Sequence, residues 1–264
     1  MNIKIILIRV FQAFVRPVKN RIPINIFRSF IRLPVIFDLV SLVMQLIDYR
    51  NLRKLNKMNL SDIDQFERAK KHNVNIVLTK FITTTRRFEL LYQLLCIHAS
   101  TKVQDMELLI IGPRNIVELL NAWTYGFKWK NINGIDLFST NRKIQVMNME
   151  DLKYENNTFD CITMANTLVY ADDIKKALSE VFRVLKPNGL VVFGQTFNPS
   201  DVESYPESTR NGKYVHEIIQ EYGMEVFYHL AYEKQNIAGN KQTHHIFGCK
   251  KKDPEHKPYD PFFL

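Results

Sequence analysis

Short apolar runs alternate with segments of helical periodicity from about residue 105 to residue 250. Five of these runs, each bounded by turn-forming or charged residues, predict strands at residues 107–111, 131–137, 143–147, 158–165 and 190–194. Apolar residues that recur every three or four positions predict helices over residues 115–125 and from Asp172 or Asp173 to Leu185, with a turn at residues 186–189. This alternation predicts a mostly parallel sheet with helices on both faces.

The last part of this region adds a predicted helix, residues 213–222, and two predicted strands, residues 224–230 and 243–250. A segment containing Gly and Asn separates the two strands, which favours an antiparallel pair. We therefore expect the fold class to be α/β, with a doubly wound, mostly parallel sheet of seven strands and an N-terminal helical extension.

Upstream of the first strand, residues 83–100 are predicted to form a helix that buries Leu90, Leu94 and Ile97 on one face. The pattern divides the chain into four parts. These are a basic amphipathic helical extension (1–58), a helical lead-in (59–104), the α/β domain (105–250) and a C-terminal tail (251–264).

Charge is distributed unevenly along the 264 residues. The first 60 residues hold 11 Lys or Arg and two acids, Asp38 and Asp48, so they carry all of the net charge of +9. The remaining residues hold 25 basic and 25 acidic side chains. A basic extension on a neutral domain predicts an anionic partner for residues 1–58.

The extension is apolar as well as basic. Residues 3–18 place Arg9, Gln12 and Arg16 on one helical face, and residues 35–48 carry a narrow polar stripe that includes Asp38 and Ser41. Such helices suit the surface of an anionic membrane; alternatively, they pack on the main domain or on a second copy of the chain. The charged residues argue against a spanning helix, and the lack of exposed basic clusters with stacking aromatics argues against nucleic acid.

The three cysteines form no CxxC pair and no zinc-spaced cluster. Sparse, unpaired cysteines are typical of buried thiols in a reducing compartment. We therefore expect no metal site and a cytoplasmic protein, with possible peripheral attachment to a membrane.

The segment from Ile144 to Gly194 carries the most specific motif. It contains a short acidic loop at Glu150 and Asp151, then Phe159 and Asp160 opening a strand, then a helix that ends in VLKPNG and leads into the next strand. This order and spacing resemble the second half of the class I methyltransferases that depend on S-adenosylmethionine (SAM). The resemblance covers about 140 residues and implies a Rossmann-like methyltransferase fold that uses SAM.

The resemblance implies a set of cofactor-binding residues at the carboxyl ends of the strands. Asp136, followed by Leu137, matches the acid that accepts hydrogen bonds from the ribose hydroxyls of SAM. Asn148 and Met149 match the loop that holds the adenine, where the family often has Asp in place of Asn148. Ala165 and Asn166 match the position beneath the methionine part of SAM.

The first turn departs from the family pattern. Gly112 keeps the first glycine, but Ile110 replaces the usual acid, and Pro113, Arg114 and Asn115 replace the flexible glycine-rich turn. Arg114 is a candidate to bind the carboxylate of SAM or another anion; the alternative is a solvent-facing side chain.

Catalytic residues are not identified by any motif. The candidates for a general base are His216, His229, His244 and His245. Tyr170 is a candidate to face the acceptor. Methyl transfer can also proceed without a base, when the enzyme only positions the donor and the acceptor. We expect a SAM-dependent methyltransferase that acts on a small molecule, a lipid or a glycan. The alternative is a methyltransferase-like binding or scaffolding module without turnover.

Overall fold

A computed structural model describes residues 23–55, 88–137, 139, 141–197, 212–235, 239 and 241–253, with the backbone alone for 45–55. The predicted amphipathic helix over residues 3–18, most of the helical lead-in and the tail from residue 254 lie outside the described residues. Among the helices that are described, none combines the length and the apolar character that crossing a bilayer requires.

The described helices and strands follow the order that the apolar pattern predicts. The helices are α1 (Ile24–Ile31), α2 (Pro34–Leu55), α3 (Glu89–His98), α4 (Ile116–Thr124), α5 (Ile174–Val184) and α6 (Gly212–Glu221). The strands are β1 (Leu108–Ile111), β2 (Ile132–Asp136), β3 (Ile144–Val146), β4 (Phe159–Ala165), β5 (Leu185–Phe197), β6 (Glu225–Gln235) and β7 (Lys241–Lys250).

The seven strands form one sheet in the order β3-β2-β1-β4-β5-β7-β6. Neighbouring strands from β3 to β5 are parallel, and β7 runs antiparallel to both β5 and β6. The predicted α/β class, the mostly parallel sheet and the antiparallel last pair are confirmed. The strand order reverses between β1 and β4, which places a crevice at the carboxyl ends of these two strands.

Side-chain caps explain where two of the helices begin. The Asn115 side chain accepts a hydrogen bond from the Val117 backbone N–H at 3.0 Å and so begins α4. Asp173, and not Asp172, accepts from the Lys176 N–H at 3.0 Å and begins α5. The first cap follows directly on the unusual turn, so the Asn of that turn has a structural role.

Two local predictions are wrong in detail. Leu91, Leu94 and Leu95 form the buried face of α3, whereas Ile97 is 74% exposed, because the face that packs on β5 is rotated from the predicted one. Residues 186–189 lie within β5 instead of forming a separate turn before it. The pairing of β4 with β5 shifts register there, which accommodates the extra residues as an irregularity.

The N-terminal helices pack on the α/β domain. Phe27, Ile31 and Phe37 are buried against Val117 of α4. Ser41, which belongs to the predicted polar stripe of α2, is also buried, so this residue of the stripe faces the protein and not the solvent. The alternative that this extension packs on the main domain is therefore correct for one face of α1 and α2.

Candidate cofactor site

The first turn of the crevice is held by contacts between β1, β2 and the segment after β4. Gly112 follows β1 with a φ of +71°, a conformation that suits glycine. Its N–H donates to the Ile135 carbonyl at 2.8 Å, and the Thr167 hydroxyl donates to the Ile111 carbonyl at 3.2 Å. The retained glycine is thus required by the backbone and by the approach of Thr167.

Pro113 makes the turn rigid by packing on β2. It is buried, and a Cβ atom placed on Gly134 would lie 3.2 Å from the Pro113 ring. The turn is therefore closed against the neighbouring strand at a second glycine, Gly134, and does not depend on the flexibility of a glycine-rich loop. Sequence reasoning missed the contact because Pro113 lies in the turn after β1 and Gly134 lies in β2.

Arg114 is part of an ion pair with the first turn of α4. Its Nε and Nη2 atoms donate to Glu118 Oε1 at 3.2 and 3.1 Å, and its backbone N–H donates to Glu118 Oε2 at 3.0 Å. The Glu118 side chain is fully buried and that of Arg114 is 15% exposed. The alternative of a solvent-facing Arg114 is wrong. The i, i+4 spacing of the two residues was the available signal.

Asp136 ends β2 at the same edge of the sheet. It is 8% exposed, and its backbone carbonyl accepts a hydrogen bond from the Met147 N–H at 3.0 Å, which ties β2 to the loop after β3. Leu137 follows at the edge and is partly buried. A shielded carboxylate at this position can accept two hydrogen bonds from neighbouring hydroxyls.

The loop after β3 carries Asn148, Met149 and Glu150. Asn148 Oδ1 accepts from the Glu150 N–H at 2.9 Å, and Glu150 Oε1 accepts from the Asp172 N–H at 2.7 Å. Met149 is buried in the core on this side of the sheet. Asn148 therefore shapes the loop, and Glu150, which is itself buried, joins the loop to the segment that precedes α5.

Ala165 ends β4, and Asn166 follows it, both beside the last part of β5. Ala165 is buried, and Asn166 has a φ of +52°, which Asn tolerates better than most residues. The Asn166 N–H donates to the Gly194 carbonyl at 2.7 Å, and Asn166 Oδ1 accepts from the Thr196 N–H at 2.9 Å and from the Thr196 hydroxyl at 3.1 Å. Thr196 was not predicted from the sequence.

Three of the four candidate histidines surround Phe247 on one face of the sheet. His229 Nε2 lies 3.1 Å from His245 Nδ1, and the ring of His216 stacks on that of His229. Burial lowers the pKa of His229 and of His245, and the charges of neighbouring histidines lower both further. We assign these rings to packing between α6, β6 and β7.

His244 lies apart from that cluster, in the register position opposite Thr196 of β5. Its Nδ1 atom is 2.9 Å from the Thr196 hydroxyl, and its ring stacks on Tyr232 with centroids 5.0 Å apart. Tyr170, the other candidate, is partly buried in a short 3-10 helix, Leu168–Tyr170, after β4. The structure therefore distinguishes one histidine at the carboxyl end of β5 from three that pack elsewhere.

The strand order, the reversal between β1 and β4 and the acid after β2 define the class I methyltransferase architecture. Residues 123–193 match the family model described as "Methyltransferase domain". This segment of the chain is therefore similar to methyltransferase domains, in line with the sequence resemblance that implies SAM as the cofactor. The match includes Asp136, Asn148 and Asn166 and begins after the turn at Gly112.

The chain is also similar to curated relatives over part of its length. It is 45% identical over 84 residues to the ubiquinone/menaquinone biosynthesis C-methyltransferase UbiE of Rickettsia prowazekii, which is 32% of this chain and 31% of that protein. It is 39% identical over 62 residues to UbiE of Desulfotalea psychrophila, 24% of this chain and 25% of the relative. These matches span less than a third of the length of the relatives.

Solved structures share the fold at low sequence identity. Phosphoethanolamine N-methyltransferase 2 of Haemonchus contortus superposes with a TM-score of 0.53 at 15% identity, over 72% of this chain and 60% of that one. A putative sarcosine dimethylglycine methyltransferase of Galdieria sulphuraria superposes with a TM-score of 0.51 at 14% identity, over 72% of this chain and 99% of that one. These similarities establish the fold.

Proposed function

We propose that this protein is an active SAM-dependent methyltransferase. The observation that carries the proposal is the shielded carboxylate of Asp136 at the carboxyl end of β2, next to the strand that ends in the Gly112 turn. Its chemistry fits the two ribose hydroxyls of SAM, because an ionised carboxylate accepts two hydrogen bonds at once. The loop of Asn148 and Met149 would hold the adenine, and Ala165 and Asn166 would lie beneath the methionine part.

Arg114 would act beside the carboxylate of SAM while it stays paired with Glu118. The buried Glu118 holds the guanidinium in place, and a guanidinium suits the carboxylate of SAM because it donates parallel hydrogen bonds to it. Gly112, which leaves no side chain between β1 and the ligand, completes the set of predicted cofactor residues.

Calorimetry with SAM and S-adenosylhomocysteine tests cofactor binding. We expect micromolar affinity, about −8 kcal/mol, for the wild type. Asp136→Asn should weaken binding by about 1.5–3 kcal/mol, because the amide replaces one accepting oxygen with a donating NH2 group and removes the negative charge. Asp105→Asn, the same change at an exposed aspartate before β1, is the matched control and should bind as the wild type does. A folded protein that binds neither ligand would instead support the binding-module alternative.

For the acceptor, we propose the hydroxylated aromatic ring of a quinone precursor, methylated on carbon. The similarity to the UbiE proteins, named as C-methyltransferases of ubiquinone and menaquinone biosynthesis, supports this class. Transfer of labelled methyl from SAM to a demethylated hydroquinone in detergent tests it, and product analysis shows whether the new methyl group is on carbon or oxygen. SAM binding without transfer to such rings would reject the acceptor and leave the cofactor proposal intact.

We further propose that α1 and the start of α2 lie on an anionic membrane. Apolar side chains remain exposed on the side away from α4: Ile26, Phe30, Leu33, Val35 and Leu39. Val35, near the start of α2, is 78% exposed, whereas the polar Ser41 of the same helix is buried. An apolar residue outside and a polar residue inside suit a helix whose outer face contacts lipid. The charge of +9 in the first 60 residues favours anionic lipid over a second copy of the chain.

Sedimentation with phosphatidylcholine vesicles, with and without phosphatidylglycerol, tests this surface. We expect binding only when the anionic lipid is present. The affinity for these vesicles should fall about tenfold in the double variant Val35→Ser/Leu39→Ser, since each change removes apolar area from the interface. Val146→Ser, at an exposed valine of β3, is the matched control and should bind normally. Equal sedimentation with neutral vesicles would contradict the role of charge, and concentration-dependent dimers without vesicle binding would favour self-association.

A further inference from the structure

A hydrogen-bonded chain connects the predicted methionine subsite to His244. Asn166 follows β4, Thr196 lies near the end of β5, and His244 is the register partner of Thr196 on β7. Their side chains meet in sequence: Asn166 Oδ1 is 3.1 Å from Thr196 Oγ1, which is 2.9 Å from His244 Nδ1. Because β7 runs antiparallel to β5, the N-terminal part of β7 lies at the edge of the sheet where the cofactor residues meet.

The hydrogen-bond partners determine which nitrogen of His244 carries the proton. A backbone N–H can only donate, so the Asn166 atom that contacts the Thr196 N–H at 2.9 Å is the amide oxygen. The same oxygen contacts the Thr196 hydroxyl, which must therefore donate its single proton to Asn166. The Thr196 oxygen is left to accept, and the donor to it is the protonated Nδ1 of His244.

The second nitrogen, His244 Nε2, then carries a lone pair. This atom is shielded from solvent and has no hydrogen-bond partner among the residues that the structure describes. A buried acceptor without a partner costs free energy, which a substrate hydroxyl would recover on binding. Burial and the charge of Lys234 lower the pKa of His244, so the ring is neutral at neutral pH.

We propose that His244 is the general base of the methyl transfer and that Nε2 takes the proton from a hydroxyl group of the acceptor. The proposal rests on the proposed function and adds a residue to it. Asn166 and Thr196 are positioning residues, because they fix the tautomer of His244 and do not themselves take the proton. This arrangement follows the general pattern in which a second group orients a catalytic histidine.

The reaction balances in bonds and charge. The O–H bond of the acceptor breaks, the proton goes to Nε2, and the electron pair stays on the oxygen and is shared with the ring. This electron pair of the acceptor forms the new bond to the methyl carbon. The carbon–sulfur bond of SAM would break at the same time, and its electron pair would stay on sulfur. When the methyl group is added to a ring carbon, that carbon then loses its C–H proton to water. The imidazolium returns its proton to the ring oxygen, which restores the hydroxyl group. One proton is released overall.

The matched pair of variants is His244→Asn and His98→Asn. Asn places an amide N–H where Nδ1 donates to Thr196, but it has no group at the position of Nε2. The variant therefore lacks the base and keeps the hydrogen bond to Thr196. His98, exposed at the end of α3, is the control. We expect His244→Asn to bind SAM within twofold of the wild type and to lose about 10²-fold or more in kcat. His98→Asn should be unchanged in both.

Two further readouts separate a base from a residue that only packs. In the wild type, kcat/KM should fall at acid pH with a pKa below the ordinary histidine value near 6.5, and this limb should be absent in His244→Asn. The titratable groups around His244 are Tyr232 and Lys234 of β6 and His245 of its own strand.

Nitrogen-15 NMR of the histidine rings tests the tautomer without any turnover. The proposal requires Nδ1–H for His244, and Thr196→Val should release that preference and reduce kcat. An Nε2–H tautomer in the wild type would overturn the proposal, as would a His244→Asn variant that retains kcat within a few-fold. Failure of the wild type to bind SAM would contradict the proposed function instead, while the tautomer would still be measured.

Discussion

Thr167 occupies the space that a side chain at Gly112 would need. A Cβ atom built on Gly112 would lie 2.5 Å from Thr167 Oγ1 and 2.6 Å from Thr167 Cγ2, well inside van der Waals contact. The two residues flank the point where the strand order reverses, one after β1 and one after β4. This contact keeps the first turn against the fourth strand although the glycine-rich loop is absent.

Gly112→Ala should therefore be strongly destabilising. The change adds a positive-φ cost of about 1 kcal/mol and a steric clash of about 1–3 kcal/mol, which urea unfolding would measure. Gly223→Ala is the matched control, because Gly223 also has a positive φ of +65° but nothing lies within 4 Å of its added Cβ. Adding Thr167→Ala to Gly112→Ala should restore part of the loss, and equal losses for the two glycine variants would contradict the clash.

The buried ion pair of Arg114 and Glu118 should contribute far more than an exposed pair with the same spacing. Glu118→Gln removes the charge of a buried carboxylate that pairs with Arg114 and should cost about 3 kcal/mol in the free energy of unfolding. Glu217→Gln is the control. It removes the acid of the exposed pair with Lys213, also at i, i+4, and should cost less than about 1 kcal/mol. Similar losses in the two variants would be inconsistent with a structural role for the buried pair.

Folding stability should fall as the pH decreases from about 7 to about 5. The pKa values of His229, His244 and His245 are lowered in the folded protein, so the unfolded chain binds more protons as the pH falls below the ordinary histidine value near 6.5. The stability that these three neutral rings contribute is fully present above that value. It declines as the pH falls, until the pH is below the pKa values of the folded protein. Urea unfolding at several pH values measures the slope. His229→Asn should reduce it, and a flat profile would show that the three rings are not shielded.

The cysteines should react slowly in the folded protein. Burial raises the pKa of Cys96 to about 11 and that of Cys249 to about 12, and it raises the pKa of Cys161 well above its usual value. Thiolates are the reactive form, so a thiol reagent at pH 8 should modify native thiols slowly and all three rapidly in denaturant. Fast modification of Cys161 or Cys249 in the native state would indicate local opening of β4 or β7.

The order of elements could be predicted from the sequence because it depends on local periodicity. The buried runs of β1, β4 and β5 and the helix capped at Asp173 were all located within a few residues. The family motif between Ile144 and Gly194 then indicated the fold and the cofactor class; the strand order confirmed the fold, and residues 123–193 match a methyltransferase domain. The roles of Asp136, Asn148 and the other predicted cofactor residues stay predictions until ligand binding is measured.

The faces of the N-terminal helices could not be predicted in the same way. The pattern of α2 showed a narrow polar stripe beside an apolar face without saying which of them is covered, and in the structure Ser41 is buried while Val35 and Leu39 are exposed. The buried face of α3 was misassigned for a related reason. Periodicity shows that a helix has two faces, while the surface against which it packs decides which of them is covered.

The sequence by itself determined the α/β class, the strand and helix order, the basic extension and the departure of the first turn from the family pattern. Tertiary structure alone decided that Thr167 closes on Gly112, that Pro113 packs on Gly134, and that His244, of the four candidate histidines, meets Thr196. Each of these contacts joins residues on different strands or loops, so it depends on strand register and turn geometry. Local periodicity carries no information about either.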